Sequence, residues 1–178
     1  MRRAAQLLCF LTCLGLSLPA SARNRRDPLT EVETDQLREA AQDPPLKLKL
    51  FVKFTRQRLE SAETLRFDPK AGPDRGRQIH DLLEDFGNLV DELSDNVDAY
   101  AARKEDLRKP LPEIIAATND WAVRLHDFKI AASATPDAAK EAKAYLFALE
   151  DAIDSVNAAL QDAEQLLEEQ KEQFKKKK

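Results

Sequence analysis

The 178-residue chain carries 28 Lys and Arg against 32 Asp and Glu, a formal net charge of −4, with 34% of its residues charged and 6% aromatic. Acidic balance argues against nonspecific nucleic-acid binding, which draws on surplus lysine and arginine. Four glycines, few aromatics and abundant alanine argue for packed helices and against a sheet protein.

The N terminus reads as an address. Arg2 and Arg3 precede an apolar run over residues 7–18, and Pro19 leads into Ala20-Ser21-Ala22, a small-x-small cleavage pattern. A dozen apolar residues are too few to span a bilayer core of roughly 30 Å. Residues 1–22 are therefore expected to be a cleaved secretory signal, sending the protein to the periplasm or outside a bacterial cell. Cleavage removes Cys9 and Cys13, so no thiol remains for a disulfide, a metal or a nucleophile. It also removes two Arg and no acid, which takes the net charge from −4 to −6.

Residues 23–29 are basic and polar, and are expected to form a flexible leader. A single helical domain over 30–174 and a lysine tail at 175–178 complete the predicted organisation. Thr30 and Glu33 have capping-box spacing and open a short helix to about Gln42, with a small apolar face of Val32, Leu37, Ala40 and Ala41. Asp43-Pro44-Pro45 caps the next helix, predicted over 44–66. Its start is ambiguous, because Leu46, Leu48, Leu50, Val52 and Phe54 alternate as in a strand. No other segment offers a strand partner, and Leu48, Phe51, Val52, Thr55, Leu59 and Ala62 also fit one helical face, so a helix is expected.

Pro69, Gly72, Pro73 and Gly76 mark a linker. A third helix then runs to about Arg108 on the stripe Ile79, Leu82, Phe86, Leu89, Leu93, Val97 and Tyr100. Mid-helix Gly87 is expected to mark close approach of a neighbouring helix, since glycine there costs about 1 kcal/mol relative to alanine. Pro110 and Pro112 break the chain before a fourth helix over 112–132, whose stripe includes Ile114, Thr118, Trp121, Leu125 and Phe128. Trp121 and Phe128 are expected in the core.

The last helix, 136–174, is the most strongly patterned. Leu146, Leu149, Ile153, Val156, Leu160, Ala163, Leu167, Gln170 and Phe174 follow at steps of three and four, and only Gln170 breaks the apolar run. At 1.5 Å per residue it would extend roughly 58 Å, against about 35 Å for the second helix. The fold expected is all-α: an antiparallel up-down four-helix bundle with a short extra N-terminal helix and a long C-terminal helix. The overhang of that helix should either carry the first helix or pair with another chain.

Chemistry is sparse in this pattern. His80 and Glu84, four apart and beside Asp81, could supply part of a metal site, but a closed site needs three or four ligands. His126 with Asp127 adds no useful spacing, so both histidines are expected at the surface. Seven acids between Gln78 and Asp98, and Asp162, Glu164, Glu168 and Glu169, read as solvated faces. The basic second helix should help select the acidic third as its neighbour. No catalytic, cofactor or metal residue is assigned. The expected role is noncatalytic: helix-helix contact with a protein partner or a second copy through the C-terminal helix. A small-ligand- or metal-binding periplasmic bundle is the alternative. The lysine tail could also touch an anionic membrane surface weakly.

Overall fold

The computed structural model describes residues 26–175, so the signal expected at 1–22, with Cys9 and Cys13, and the last three lysines lie outside the described residues. Among the described residues the chain is helical, with no strand. The helices are α1 (Glu31–Glu39), which runs into a 3-10 turn (Ala40–Gln42), α2 (Pro44–Phe67), α3 (Arg75–Ala102), α4 (Leu111–Ala132), α5 (Pro136–Ala142) and α6 (Leu146–Lys175). None of the described helices is long and apolar enough to cross a membrane.

Local chemistry explains the helix starts. The Thr30 backbone N–H donates to the Glu33 carboxylate at 2.8 Å, and the Glu33 N–H returns to the Thr30 hydroxyl at 3.3 Å, so the capping box is formed. The Asp43 carboxylate accepts the Leu46 N–H at 3.1 Å, with Pro44 and Pro45 in the first turn, where a missing N–H costs nothing. The alternating stretch 46–54 is helical. Leu48, Phe51, Val52 and Phe54 are all buried on a wide face, and the buried Thr55 hydroxyl bonds back to Phe51 O at 2.8 Å.

Two boundaries differ from expectation. The third helix ends at Ala102, not near Arg108, in a C-cap built without glycine. Lys104 takes a left-handed φ of 64°, its N–H bonds Ala101 O at 2.8 Å, and the Glu105 N–H reaches back to Tyr100 O at 3.1 Å. This is the Schellman arrangement, with lysine where glycine is usual. The predicted 136–174 helix is broken at 143–145. There the Ala144 and Tyr145 N–H groups close tight turns onto Glu141 O and Ala142 O, at 3.0 and 2.9 Å. The cause is tertiary, because Tyr145 turns inward to stack edge-on against Phe128 of α4, centroids 5.8 Å apart.

One apolar cluster runs through all the long helices. α2 packs along α3, α6 packs along both α3 and α4, and α2 touches α4 more lightly. Trp121 lies at the centre, fully buried and edge-on to Phe86 at 5.6 Å, and its indole Nε1 has no acceptor among the described residues. Phe128 is core as well. Each such fully buried large apolar side chain contributes about 1.5–3 kcal/mol.

The buried line of α6 is not the line of its largest residues. Leu149, Ala152, Val156, Ala159, Ala163 and Gln170 are buried, whereas Ile153, Leu160 and Leu167 are half-buried flanks and Leu146 is exposed. Alanines face the neighbours so that backbones can approach, and the bulkier residues seal the edges.

The far end of α6 has a different cover from the one expected. α1 lies on α2. The residues between α3 and α4 cap α6 instead: the Leu107 N–H donates to the Gln170 amide oxygen at 2.8 Å, and the Gln170 NH2 donates to Glu105 O at 3.0 Å. The Arg108 guanidinium lies 4.1 Å from the Phe174 ring centroid. The one polar residue in the heptad stripe is thus a buried fastener.

Candidate functional site

The i, i+1, i+4 placement on α3 brings His80, Asp81 and Glu84 together. One ligand atom from each lies within 4.8 Å of the others, with His80 Nδ1 3.4 Å from Asp81 Oδ1. Asp81 completes the pair read from the sequence, so the protein offers three donors, enough to hold a small divalent cation with water at the remaining positions. Asp81 is shared, however. Arg26 Nη1 stands 3.6 Å from its Oδ2, and Arg26 also pairs with Asp85 and donates to Asp81 O at 3.3 Å.

The cluster opens onto a groove of about 190 Å³ between α3 and α6. α3 contributes His80, Glu84, Gly87, Asn88 and Asp91, one residue per turn or so along one face. α6 contributes Asp151 and Ser155 with Ala148 and Ala152 as floor, and Phe147 stands at the rim with its ring 75% exposed. Gly87 is not there to relieve a clash. A Cβ on it would stand 3.9 Å from Ala152 Cα, an ordinary contact, so the glycine leaves room in the groove. The tight approach belongs to Gly76, where a Cβ would stand 3.0 Å from Ala144 Cβ and 3.4 Å from Glu141 O.

Residues 26–29, expected to be a flexible leader, are instead tied across α2 and α3. Arg58 donates to Pro28 O at 2.7 Å and pairs with Glu33 through Nη1 at 3.0 Å, while Arg26 grips Asp85. The two acids respond in opposite directions. Burial raises the Glu33 pKa, but the Arg58 hydrogen bond, the Thr30 N–H and the Arg58 charge outweigh it and hold the carboxyl below its ordinary value of 4.5. Burial of Asp85 raises its pKa above 3.8 despite the Arg26 hydrogen bond. Glu33 sits between near-buried partners, whereas more than half of the Arg26 side chain is open to water.

The remaining sequence candidates stay apart. His126 and Asp127 are exposed on the outer side of α4. Among the distal acids, Glu168 pairs with Lys171 and Glu169 accepts from Gln165, both on the surface of α6. The acidic and basic helices α3 and α2 are neighbours, but no described ion pair joins them. The interhelix pairs are Arg58–Glu33, Arg124–Glu63, Arg75–Glu141 and Lys129–Glu150. Charge acts between them only at longer range, Arg58 on Asp85 and Lys47 on Glu92, beside the apolar packing that α2 and α3 share. Phe147, Asp151 and Ser155 were missed because no spacing within α6 shows that α3 would lie beside them. Comparison with protein-family models, with curated proteins and with solved structures finds no match for this chain.

Proposed function

We propose that this chain is a noncatalytic exported protein that works by holding a protein partner along the α3–α6 groove, in the periplasm or outside the cell. In this reading α2, α3, α4 and α6 form an antiparallel up-down four-helix bundle with α1 as an appendage. Export is supported by the basic start, short apolar core and Ala20-Ser21-Ala22 of the N terminus. The observation that carries the partner surface is Phe147, a large aromatic ring left 75% exposed at the rim of a groove whose charged walls are Glu84, Asp91 and Asp151. Exposed aromatics beside a groove are the residues from which binding energy is drawn, and the acids select a partner helix bearing lysine or arginine. The C-terminal helix remains the contact element, but its first turns replace its far end, which Glu105–Arg108 already covers.

The test is site-specific photocrosslinking in the native envelope. A photoreactive residue at position 147 should give a discrete adduct that Asp151→Lys weakens, while the same probe at exposed Lys49 on α2 gives none. Identical adducts from both positions would overturn the reading. Light scattering across protein concentration identifies the case in which the partner is a second copy.

The second reading, a cation carrier, is favoured by the mutual distances within the His80, Asp81 and Glu84 cluster. Elemental analysis of protein purified from its own host decides it. A stoichiometric metal that disappears in His80→Ala would replace the partner-holding reading.

A further inference from the structure

A second cavity, of about 330 Å³, lies where the end of α2 meets α5 and the start of α6, with Arg66, Phe67, Arg75, Thr135, Asp137 and Tyr145 in its lining. The Arg66 guanidinium is clamped between two rings, its Cζ 4.4 Å from the centroids of both Phe67 and Phe128. Stacking on both faces fixes the plane of the fork and leaves its edge free to donate. Nη1 makes one long bond to Phe128 O, 3.4 Å, and no described carboxylate pairs with the group. Arg75 differs: Glu141 accepts from its Nε and Nη2 at 2.6 and 2.7 Å and neutralises it.

Tyr145 is 2% exposed, with its ring against Phe128. It lines the cavity, and its hydroxyl makes no hydrogen bond among the described residues. Burial, then the charge of Glu141, raises its pKa, so at neutral pH it is an O–H donor. A half-buried guanidinium without a described carboxylate and a phenol whose hydroxyl has no described hydrogen bond line one cavity, so both can donate to a ligand there.

We infer that this cavity binds a small monocarboxylate anion, with the Arg66 fork and the Tyr145 hydroxyl as donors and the exposed Phe67 as outer wall. Two parallel N–H donors match the two oxygens of a planar carboxylate. Asp137 and Glu141 line the same cavity and oppose a second negative charge, which disfavours phosphate. The site is independent of the α3–α6 groove.

NMR titration of the protein, as exported and processed by its host, tests this at constant ionic strength. The probes are acetate and butanoate, with inorganic phosphate as the contrast. Saturable shifts at the Arg66 side chain and the Tyr145 and Ala138 amides are expected with the carboxylates. Tyr145→Phe should weaken them about tenfold, the loss of one hydrogen bond to a charged group. Arg66→Lys should abolish saturation, since an ammonium lacks the fork. Tyr145→Phe removes only a hydroxyl with no intramolecular bond, so it keeps the test valid even if Arg66→Lys fails to fold. Non-saturating shifts with every probe, wild-type affinity in Tyr145→Phe, or tighter binding of phosphate than of butanoate would each overturn the inference.

Discussion

At one end of α6 the buried Gln170 commits both halves of its amide to the backbone of Glu105 and Leu107; just before the other end, Tyr145 is a buried residue whose hydroxyl has no hydrogen bond among the described residues. The same contrast separates Glu33, which takes two donors from Arg58 and one from Thr30, from Arg66, which meets no described carboxylate. Filled polar groups fasten segments that lack enough apolar surface of their own: α1 in one case, the 103–110 connection in the other. Trp121 Nε1 is unfilled too among the described residues, inside the core, so a missing partner points to a ligand only where the group also lines a cavity, as Arg66 and Tyr145 do. Burial alone does not separate these cases. Partner accounting and cavity lining together do.

The contrast can be broken most forcefully at Glu33. Glu33→Gln leaves the Arg58 charge poorly compensated, and a loss of about 3 kcal/mol is expected in urea unfolding. The accompanying pH dependence has a definite sign. The folded pKa lies below 4.5, so this contribution is fully present above that pH and is lost as pH falls through the lowered value. Asp85, with its pKa raised, works in reverse: the folded state binds its proton more readily, and Asp85→Asn should remove a contribution that grows with acidification.

Gln170→Leu comes next and sets two rules against each other. Heptad logic alone makes leucine the better residue. The structure instead predicts a loss of about 2 kcal/mol, because the buried Leu107 N–H loses its acceptor. Faster hydrogen exchange at Leu107 would accompany it, and unchanged or higher stability would remove Gln170 from the fasteners.

The glycines give a smaller, paired effect. Gly76→Ala should cost about 1–2 kcal/mol through its close contact with Ala144. Gly87→Ala should gain up to about 1 kcal/mol from helix propensity while filling the groove. Thermal melts of both variants check the pair, and equal signs would undo the distinction between them. The smallest expected change is Tyr145→Phe, within about 0.5 kcal/mol, since no intramolecular bond is lost. A loss of 2 kcal/mol or more would show that Tyr145 is itself a fastener.

Much of the helical layout was legible because its causes are local. The Thr30–Glu33 box, the Asp43 cap with its two prolines, and the Pro69–Gly76 linker act within a turn or two of the residues that display them. The helical outcome for 46–54 was decided by the absence of a strand partner, again readable in advance. The misses have two kinds of cause, one an unannounced local cap and the rest tertiary. Lys104 adopts the left-handed cap that a glycine would have announced, and the break at 143–145 depends on Tyr145 finding Phe128. The buried face of α6 was read from residue size, whereas helix approach favours Ala152, Ala159 and Ala163. Of the sites, His80 with Glu84 was visible at i, i+4. The Phe147 rim and the Arg66–Tyr145 cavity join residues far apart in sequence, and no periodicity within one helix reports such a meeting.

The Gln170 contacts also impose an order of events. Leu107 and Gln170 are 63 positions apart, and the α3–α4 corner is completed only when the last turns of α6 arrive. A chain emerging N terminus first would hold that corner open until the last turns of α6 were released, since distant contacts form only after the loop between them has closed. Shortening the protein at its C terminus should therefore loosen a corner in the middle of the chain before it disturbs α2 or α3. In pulse-labelled refolding, Leu107 would be among the last amides to gain protection, a delay set by where its acceptor is encoded.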